Sequence, residues 1–406
     1  MRYISLFTGI GGLESKDSQP IIICEKDAHC KKYLQKKFKS SDFVDDVKEL
    51  ADKKTKIAKM DIVTGGWPCQ DLSVAGEKKG FKGVKSVLFY DLLKVAQKAK
   101  CETVIAENVP NLLNIDNGAV FSTVLSEFAD LGFKYIGWRV INTRSFNLPH
   151  QRRRLFIVAS KSEQVAKNLF NPIKKRISKS KKKTPVNSFY HTAGTHSICF
   201  SQNYTPTLKV SGSGPAIQYG NIIRRISPAE ALKLQGFTPD QFKDITDTQI
   251  YSMAGNAVSK PVGNFIFDSI QKDFFDVGLR PTISRDMFGD SKKIMRYSIK
   301  NGFYRNGAVY EVDIEKEKLC ANLADFIDFN DNSFLSDTAI LGLLRRSAKA
   351  KKVINEMLLD IMIETVSMDA LLREVSKEDI DLLISNGSKS NIKEKVLSEG
   401  EEDLFF

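Results

Sequence analysis

The sequence predicts an α/β protein with a doubly wound, mainly parallel sheet, and three observations carry that prediction. Short apolar runs alternate with helix-period segments up to about residue 160. The first run, Tyr3 to Phe7, passes straight into a glycine-rich turn, Thr8-Gly9-Ile10-Gly11-Gly12. Finally, the residues best suited to chemistry follow apolar runs, at the strand C-termini where open α/β sheets bind their ligands.

The elements follow in order. Ile21 to Cys24 reads as a second strand, and Ala28 to Phe38 as a polar, amphipathic stretch. Ile62 and Val63 begin a strand that ends in Gly65-Gly66-Trp67-Pro68-Cys69-Gln70. Leu88, Leu92, Val95, Ala96 and Ala99 share one helical face. Thr103 to Ala106 is a strand ending in Glu107-Asn108-Val109-Pro110. Val120 to Leu131 is helical and stops at Gly132. Tyr135 to Ile141 and Leu155 to Ala159 close the sheet. Residues 161–222 are rich in Lys, Ser, Thr and Gly, with a basic run over 174–183. An apolar pattern returns from Ile223 to about Ile270. Beyond 275, Ala308 to Val312 alternates like a strand, helical patterns run from Asp337 to Ser385, and the acidic end from Glu399 should fray.

Charge is unevenly spread. The net value is +12, but residues 275–406 hold 19 basic against 24 acidic side chains, a balance of −5. The first 274 residues hold 42 against 25, a balance of +17. A basic body of this kind suits a polyanion, because phosphate neutralisation supplies most non-specific affinity. No apolar run reaches about 18 residues, which argues against a membrane-spanning helix. The N-terminus is a strand pattern rather than a signal peptide. Six scattered cysteines without a C-x-x-C pair suit a reducing compartment, so a cytoplasmic protein is expected. His191, His196 and Cys199 match no common metal-site spacing, and no metal is expected.

Pro68-Cys69-Gln70, Glu107-Asn108-Val109, the Phe7 to Gly12 loop and the arginines of Leu148-Pro149-His150-Gln151-Arg152-Arg153-Arg154 occur in the order seen in one family. Together they resemble the DNA (cytosine-5) methyltransferases, of prokaryotic or phage modification type. Arg225-Ile226-Ser227-Pro228-Ala229-Glu230 through Phe237 resembles the family's ninth motif, and Gly255-Asn256-Ala257-Val258 its tenth.

The resemblance implies a class I S-adenosylmethionine-dependent fold with a small target recognition region. It places Phe7, Thr8, Gly9, Ile10, Gly11 and Gly12 around the amino-acid end of S-adenosyl-L-methionine, Glu25 on the ribose and Asp46 by the adenine. Val47, Pro68, Leu88, Asn256, Ala257 and Val258 complete that pocket. The family often has an aromatic residue after the ribose acid; here it is Lys26. Cytosine carbon 5 is a poor nucleophile, so methylating it requires covalent addition at carbon 6. A thiolate suits this step, and Cys69 occupies the family's nucleophile position. Glu107 stands where the acid engages ring nitrogen 3. Arg154 is expected on the flipped base and the acid, and Arg152 on substrate phosphate or shaping the site, with His150 where the family usually has Gln. Gln70, Ser73, Thr207, Leu208 and Arg225 are expected to contact DNA.

The implied organisation is a catalytic and cofactor-binding domain over 1–160, a recognition region over 161–221, and over 222–274 the end of that region and the return to the catalytic domain. Residues 275–406 form a mostly helical extension without a readable motif. Duplex DNA is the expected partner, in a monomer or weak dimer, with a cognate restriction endonuclease encoded alongside. Two other readings stay open: a tRNA methyltransferase of the same fold, and an inactive DNA-binding relative.

Overall fold

A computed structural model describes residues 1–68, 87–173, 184–191, 197–209, 215–272, 278–281, 300–305, 307–314, 322–376, 378, 379 and 383. Cys69, Gln70 and Ser73, the basic run over 174–183, His196 and the acidic end lie outside the described residues.

The chain runs β1 (Tyr3–Leu6), β2 (Ile22–Cys24), α1 (Ala28–Lys37), β3 (Asp42–Val44), α2 (Val47–Ala51), β4 (Ile62–Gly66), α3 (Val87–Lys98) and β5 (Thr103–Asn108). It continues through α4 (Ala119–Asp130), β6 (Tyr135–Asn142), β7 (Arg153–Ser160) and α5 (Glu163–Lys167). Next come β8 (Asn187–His191), β9 (Ile198–Gln202), β10 (Ala216–Tyr219), β11 (Ile222–Arg225), α6 (Pro228–Leu234), α7 (Asp247–Asn256) and α8 (Lys260–Ile270). The last elements are β12 (Leu279–Pro281), β13 (Asn301–Arg305), β14 (Ala308–Val312), α9 (Asp337–Lys349), α10 (Glu356–Thr365) and α11 (Met368–Glu374).

Among the described residues one sheet has ten strands, ordered β12-β14-β13-β6-β7-β5-β4-β1-β2-β3. The block from β3 to β5 is parallel. β7 inserts antiparallel between β5 and β6, so the anticipated closing strands form a hairpin. Alternate side chains feed two cores, as strand geometry requires. Ile4, Leu6, Val63, Val104 and Ala106 pack with residues of α2, α3 and α4, while Tyr3, Ile62, Ile105, Phe156 and Val158 pack with α8. Burying each large apolar side chain contributes roughly 1.5–3 kcal/mol, so both faces are needed to hold the sheet.

The first crossover departs from the doubly wound pattern, because residues 7–21 contain no helix. Its glycines, its polar stretch and Pro20 give no helical period. α8 packs there from far along the chain, with Leu13 joining Val262 and Ile266 in one apolar cluster.

A second, antiparallel sheet, β11-β10-β8-β9, is built from the recognition region and the strand after it. One face packs through Phe189, Ala216 and Ile223 against Ile340, Leu344, Leu358 and Met362 of α9 and α10. Residues of the other face, Ile217 and Tyr219, join Leu232, Leu234 and Ile250 of α6 and α7. The extension is therefore not helical throughout, nor a separate body. β12 to β14 lengthen the main sheet, and α9 to α11 back the small one. A buried knot secures the join: Arg224, 0% exposed, donates to both oxygens of Glu230 at 3.0 and 2.7 Å, and Asp328 N donates to Glu230 Oε1 at 2.8 Å. Such a pair is costly to break, because either partner alone is an uncompensated buried charge.

Candidate active site

A cavity of about 930 Å³ opens at the C-terminal ends of β1, β2, β4 and β5. Phe7, Thr8, Gly9 and Gly12 line it from the first loop, Glu25, Asp46 and Val47 from the next two, and Pro68, Leu88, Glu107, Arg152 and Arg154 from further along. Asn256, Ala257 and Val258 complete the wall. Sequence distances of up to 251 residues thus collapse into one space.

Ile10 and Gly11 are not on that wall. Ile10 is fully buried in a cluster with Cys30, Tyr33 and Leu34, and Gly11 turns at φ +76° against Lys37 and Leu34. Gly12 is required by protein rather than by ligand. A Cβ there would fall 1.9 Å from Val258 O, and a Cβ on Gly263 would fall 2.0 Å from Gly12 O. These two glycines let the 256–258 loop and α8 lie directly on the first loop. Phe7 itself holds φ 53°, a left-handed conformation uncommon outside glycine.

Glu25 is fixed by local backbone. Its Oε2 accepts from Gly9 N at 2.7 Å and its Oε1 from Asp27 N at 2.8 Å. Asp27 in turn caps α1 by accepting from His29 N and Cys30 N. Burial pushes the Glu25 carboxyl up, and those N–H donors pull it back. Asp46 caps α2 and accepts from Lys48 N at 3.0 Å, which holds its carboxyl below the usual range. Lys26, in the place of the family's aromatic, lies mostly in solvent with Nζ 3.5 Å from Asp46 Oδ2.

At the other end, Glu107 closes β5 opposite Gly66 of β4 and Phe156 of β7. A Cβ on Gly66 would meet Glu107 Oε2 at 2.6 Å, so glycine there makes the room the carboxyl occupies. Arg154 Nε stands 3.1 Å from Glu107 Oε1. Burial raises the Glu107 carboxyl, with Arg154 and then Arg152 opposing it, and the balance lies above the ordinary glutamate value. Arg152 is 2% exposed, and its Nε and Nη1 find no hydrogen-bond partner among the described residues. Desolvation, then Arg154, lowers its affinity for a proton. His150 is fully buried, with Nε2 accepting from Leu208 N at 3.1 Å. Burial, then Arg152 and Arg154, push it well below the usual histidine range, so it serves as a neutral acceptor.

The DNA-reading expectations fare differently. Leu208 is 5% exposed in an apolar cluster with Ile217 and Leu232, and its backbone N–H donates to His150 Nε2. Thr207 is half-buried, and its hydroxyl donates to Gln151 O at 2.8 Å. Arg225 is exposed, with its N–H donating to Ser333 O. None of the three lines the cavity.

Four further residues shape the site. Asn108 Nδ2 donates to Trp67 O at 3.1 Å and so holds the step before Pro68. Gln235 Nε2 donates to Ala254 O at 2.6 Å and Ala257 O at 3.3 Å, tying α6 to the 256–258 loop. Glu14 and Trp67 line the cavity, each 2–5% exposed, with Glu14 Oε2 and Trp67 Nε1 unpartnered among the described residues. The Asn after Glu107 and the Gln before Gly236 were visible in the quoted motifs; that Glu14 and Trp67 carry spare polar atoms was not.

A family model described as C-5 cytosine-specific DNA methylase matches residues 1–205 and 183–272. The chain belongs to that family. As a C-5 cytosine-specific DNA methylase it transfers a methyl group to carbon 5 of a cytosine in DNA. It is similar to the Type II methyltransferase M2.BsuMI of Bacillus subtilis (strain 168), at 30% identity over 299 residues, 67% of this chain and 76% of that protein. It is also similar to the Type II methyltransferase M.SsoII of Shigella sonnei, at 30% over 308 residues, 66% and 79% of the two chains. A third relative, M.Bsp6I of Bacillus sp. (strain RFL6), is 28% identical over 317 residues, 67% of this chain and 99% of its own. Among the described residues no helix is long and apolar enough to cross a membrane, and no group of His, Cys, Asp and Glu could hold a metal ion.

Proposed function

We propose that this methylase modifies one cytosine within a specific duplex DNA sequence, by base flipping and a covalent adduct on Cys69. The observation that carries the reading is Glu107: a largely buried carboxyl, its side chain 13% exposed, with raised proton affinity, seated by Gly66 and Arg154. The flip is needed because carbon 6 is shielded within the base stack.

The cavity suits S-adenosyl-L-methionine. Glu25 keeps spare lone pairs beyond its two backbone donors for ribose hydroxyls. Phe7, Thr8, Gly9 and Gly12 would face the amino-acid end, Asp46 and Val47 the adenine, and Leu88, Pro68 and the 256–258 loop the remainder. When bound, the cofactor supplies an electrophilic methyl group. The chain does the rest. The Cys69 thiolate adds to carbon 6, while protonated Glu107 donates to ring nitrogen 3 and lets carbon 5 act as nucleophile. Arg154 holds Glu107 in place and contacts the base; Arg152, with unspent donors, takes a phosphate or carbonyl oxygen. Loss of the carbon 5 proton to water then expels the Cys69 thiolate.

Gln70, Ser73, Thr207, Leu208 and Arg225 are proposed DNA contacts, through backbone or side chain, with specificity in 161–221. A cytoplasmic monomer or weak dimer, encoded beside a restriction endonuclease, completes the reading. Incubating the purified chain with labelled S-adenosylmethionine and either duplex DNA or tRNA tests it. Label in DNA as 5-methylcytosine is expected; label in tRNA alone would favour the RNA reading.

A further inference from the structure

His150 is fully buried just before Arg152 and Arg154, and it does not line the cavity. Its stretch of chain runs beside 205–208 of the recognition region. Thr205 N donates to Pro149 O at 2.7 Å, Gln151 N to Thr205 O at 2.7 Å, and Thr207 Oγ1 to Gln151 O at 2.8 Å. The His150 ring adds a further tie, with Nε2 accepting from Leu208 N at 3.1 Å. A backbone N–H can only donate, so it fixes the lone pair on Nε2 and the ring proton on Nδ1.

Beyond the ring, buried polar groups lead back to the arginines. Gln235, near the ring, donates to Ala254 O at 2.6 Å and Ala257 O at 3.3 Å, and accepts from Ser259 Oγ. Ser259 Oγ and Thr143 Oγ1 lie 2.8 Å apart, and Thr143 N donates to Arg152 O at 2.9 Å.

We propose that His150 is a positioning residue, fastening the 205–208 segment to the stretch that carries Arg152 and Arg154 and so holding recognition region and base pocket in one geometry. It rests on the reading of those arginines as substrate contacts and of 161–221 as the recognition region. The ring must be neutral, because an imidazolium has no acceptor. Burial, then Arg152 and Arg154, outweigh the Leu234 backbone and the Gln235 side chain at the end of α6, which favour the protonated form.

Steady-state methylation of unmethylated bacterial genomic DNA, beside calorimetry with S-adenosylhomocysteine, tests this. His150→Leu leaves Leu208 N–H without its acceptor. Its kcat should fall by roughly tenfold or more, with KM for DNA within about threefold and S-adenosylhomocysteine affinity within about twofold. His150→Gln, whose amide oxygen can accept from Leu208 N, should return kcat to within about threefold of wild type. An unchanged kcat in folded His150→Leu, equal impairment of both variants, or cofactor-product binding lost in step with kcat would overturn the proposal. Should His150→Leu lack a cooperative melt, nitrogen-15 histidine spectra decide, with His150 assigned by its loss in His150→Gln. A neutral Nδ1–H ring from pH 6 to 8 is expected; an Nε2–H ring, or one titrating in that range, overturns the idea. Wild-type turnover in Arg154→Ala would instead sink the reading of the arginines, and the proposal with it.

Discussion

Arg154 Nε lies 3.1 Å from Glu107 Oε1, the one residue at the start of β7 and the other near the end of β5. The strands are antiparallel neighbours, so residues 47 apart meet at one end of the strands, beside the cavity. The pair presents an acid that is anchored yet retains its proton more readily than an exposed glutamate, because burial outweighs the two arginines.

Glu107→Gln should lower the single-turnover methylation rate by a factor on the order of 100 to 10,000, the usual contribution of a general acid. The amide still donates a hydrogen bond, so residual activity is expected. An unchanged rate would remove Glu107 from the chemistry.

Gly66→Ala should damage catalysis without unfolding the sheet. The added methyl meets Glu107 Oε2 at 2.6 Å, so the carboxyl must move from Arg154. Displacements of about 1 Å can cost on the order of 100-fold in rate. A variant with wild-type turnover would show that the position of Glu107 matters little.

Glu14 predicts a stability profile. Its folded proton affinity is raised from 4.5 to about 7, so the folded state binds more protons than the unfolded chain in that window. The contribution is fully present below pH 4.5 and is lost as pH rises to about 7, worth on the order of 3 kcal/mol at full burial. Without ligand, the wild type should therefore lose stability relative to Glu14→Gln between pH 5 and 7, by urea denaturation. Parallel curves would refute the shift.

The sequence made the sheet legible where chain order and pattern coincide. The helices α3 and α4 and the strands β6, β7 and β14 fall where periodicity puts them, while the antiparallel pairing of β6 with β7 was not legible. What escaped was non-local. β3 and α2 are too short to show a period, and β8 to β11 lie in a polar segment whose burial depends on α9 to α11 arriving from over 100 residues away. At the site, residue types at strand ends marked Glu25, Asp46, Glu107 and Arg154 because local backbone fixes each of them. The burial of Leu208 was not legible, because the cluster that covers it comes from α6 and β10.

Specificity should follow a composite unit. The small sheet carries the recognition region, but its apolar face closes on α9 and α10, and Asp328 is tied to Glu230. Replacing residues 161–221 together with 322–376 by those of a relative of known target should transfer that target with good expression. Replacing 161–221 alone should transfer it with a lower melting temperature. Retention of the original target by a folded, active double chimera would locate specificity elsewhere.

The central claim is covalent catalysis by Cys69 with Glu107 as its acid. Duplex DNA carrying 5-fluorocytosine at the target position tests it most directly, since fluorine cannot leave as a proton and the adduct persists. With S-adenosylmethionine present, the wild type should form a denaturation-resistant protein–DNA complex whose cross-linked peptide contains Cys69. Cys69→Ser should form none while still binding DNA and S-adenosylhomocysteine. A cross-link at another residue, or methylation by Cys69→Ser at near wild-type rate, would contradict the account.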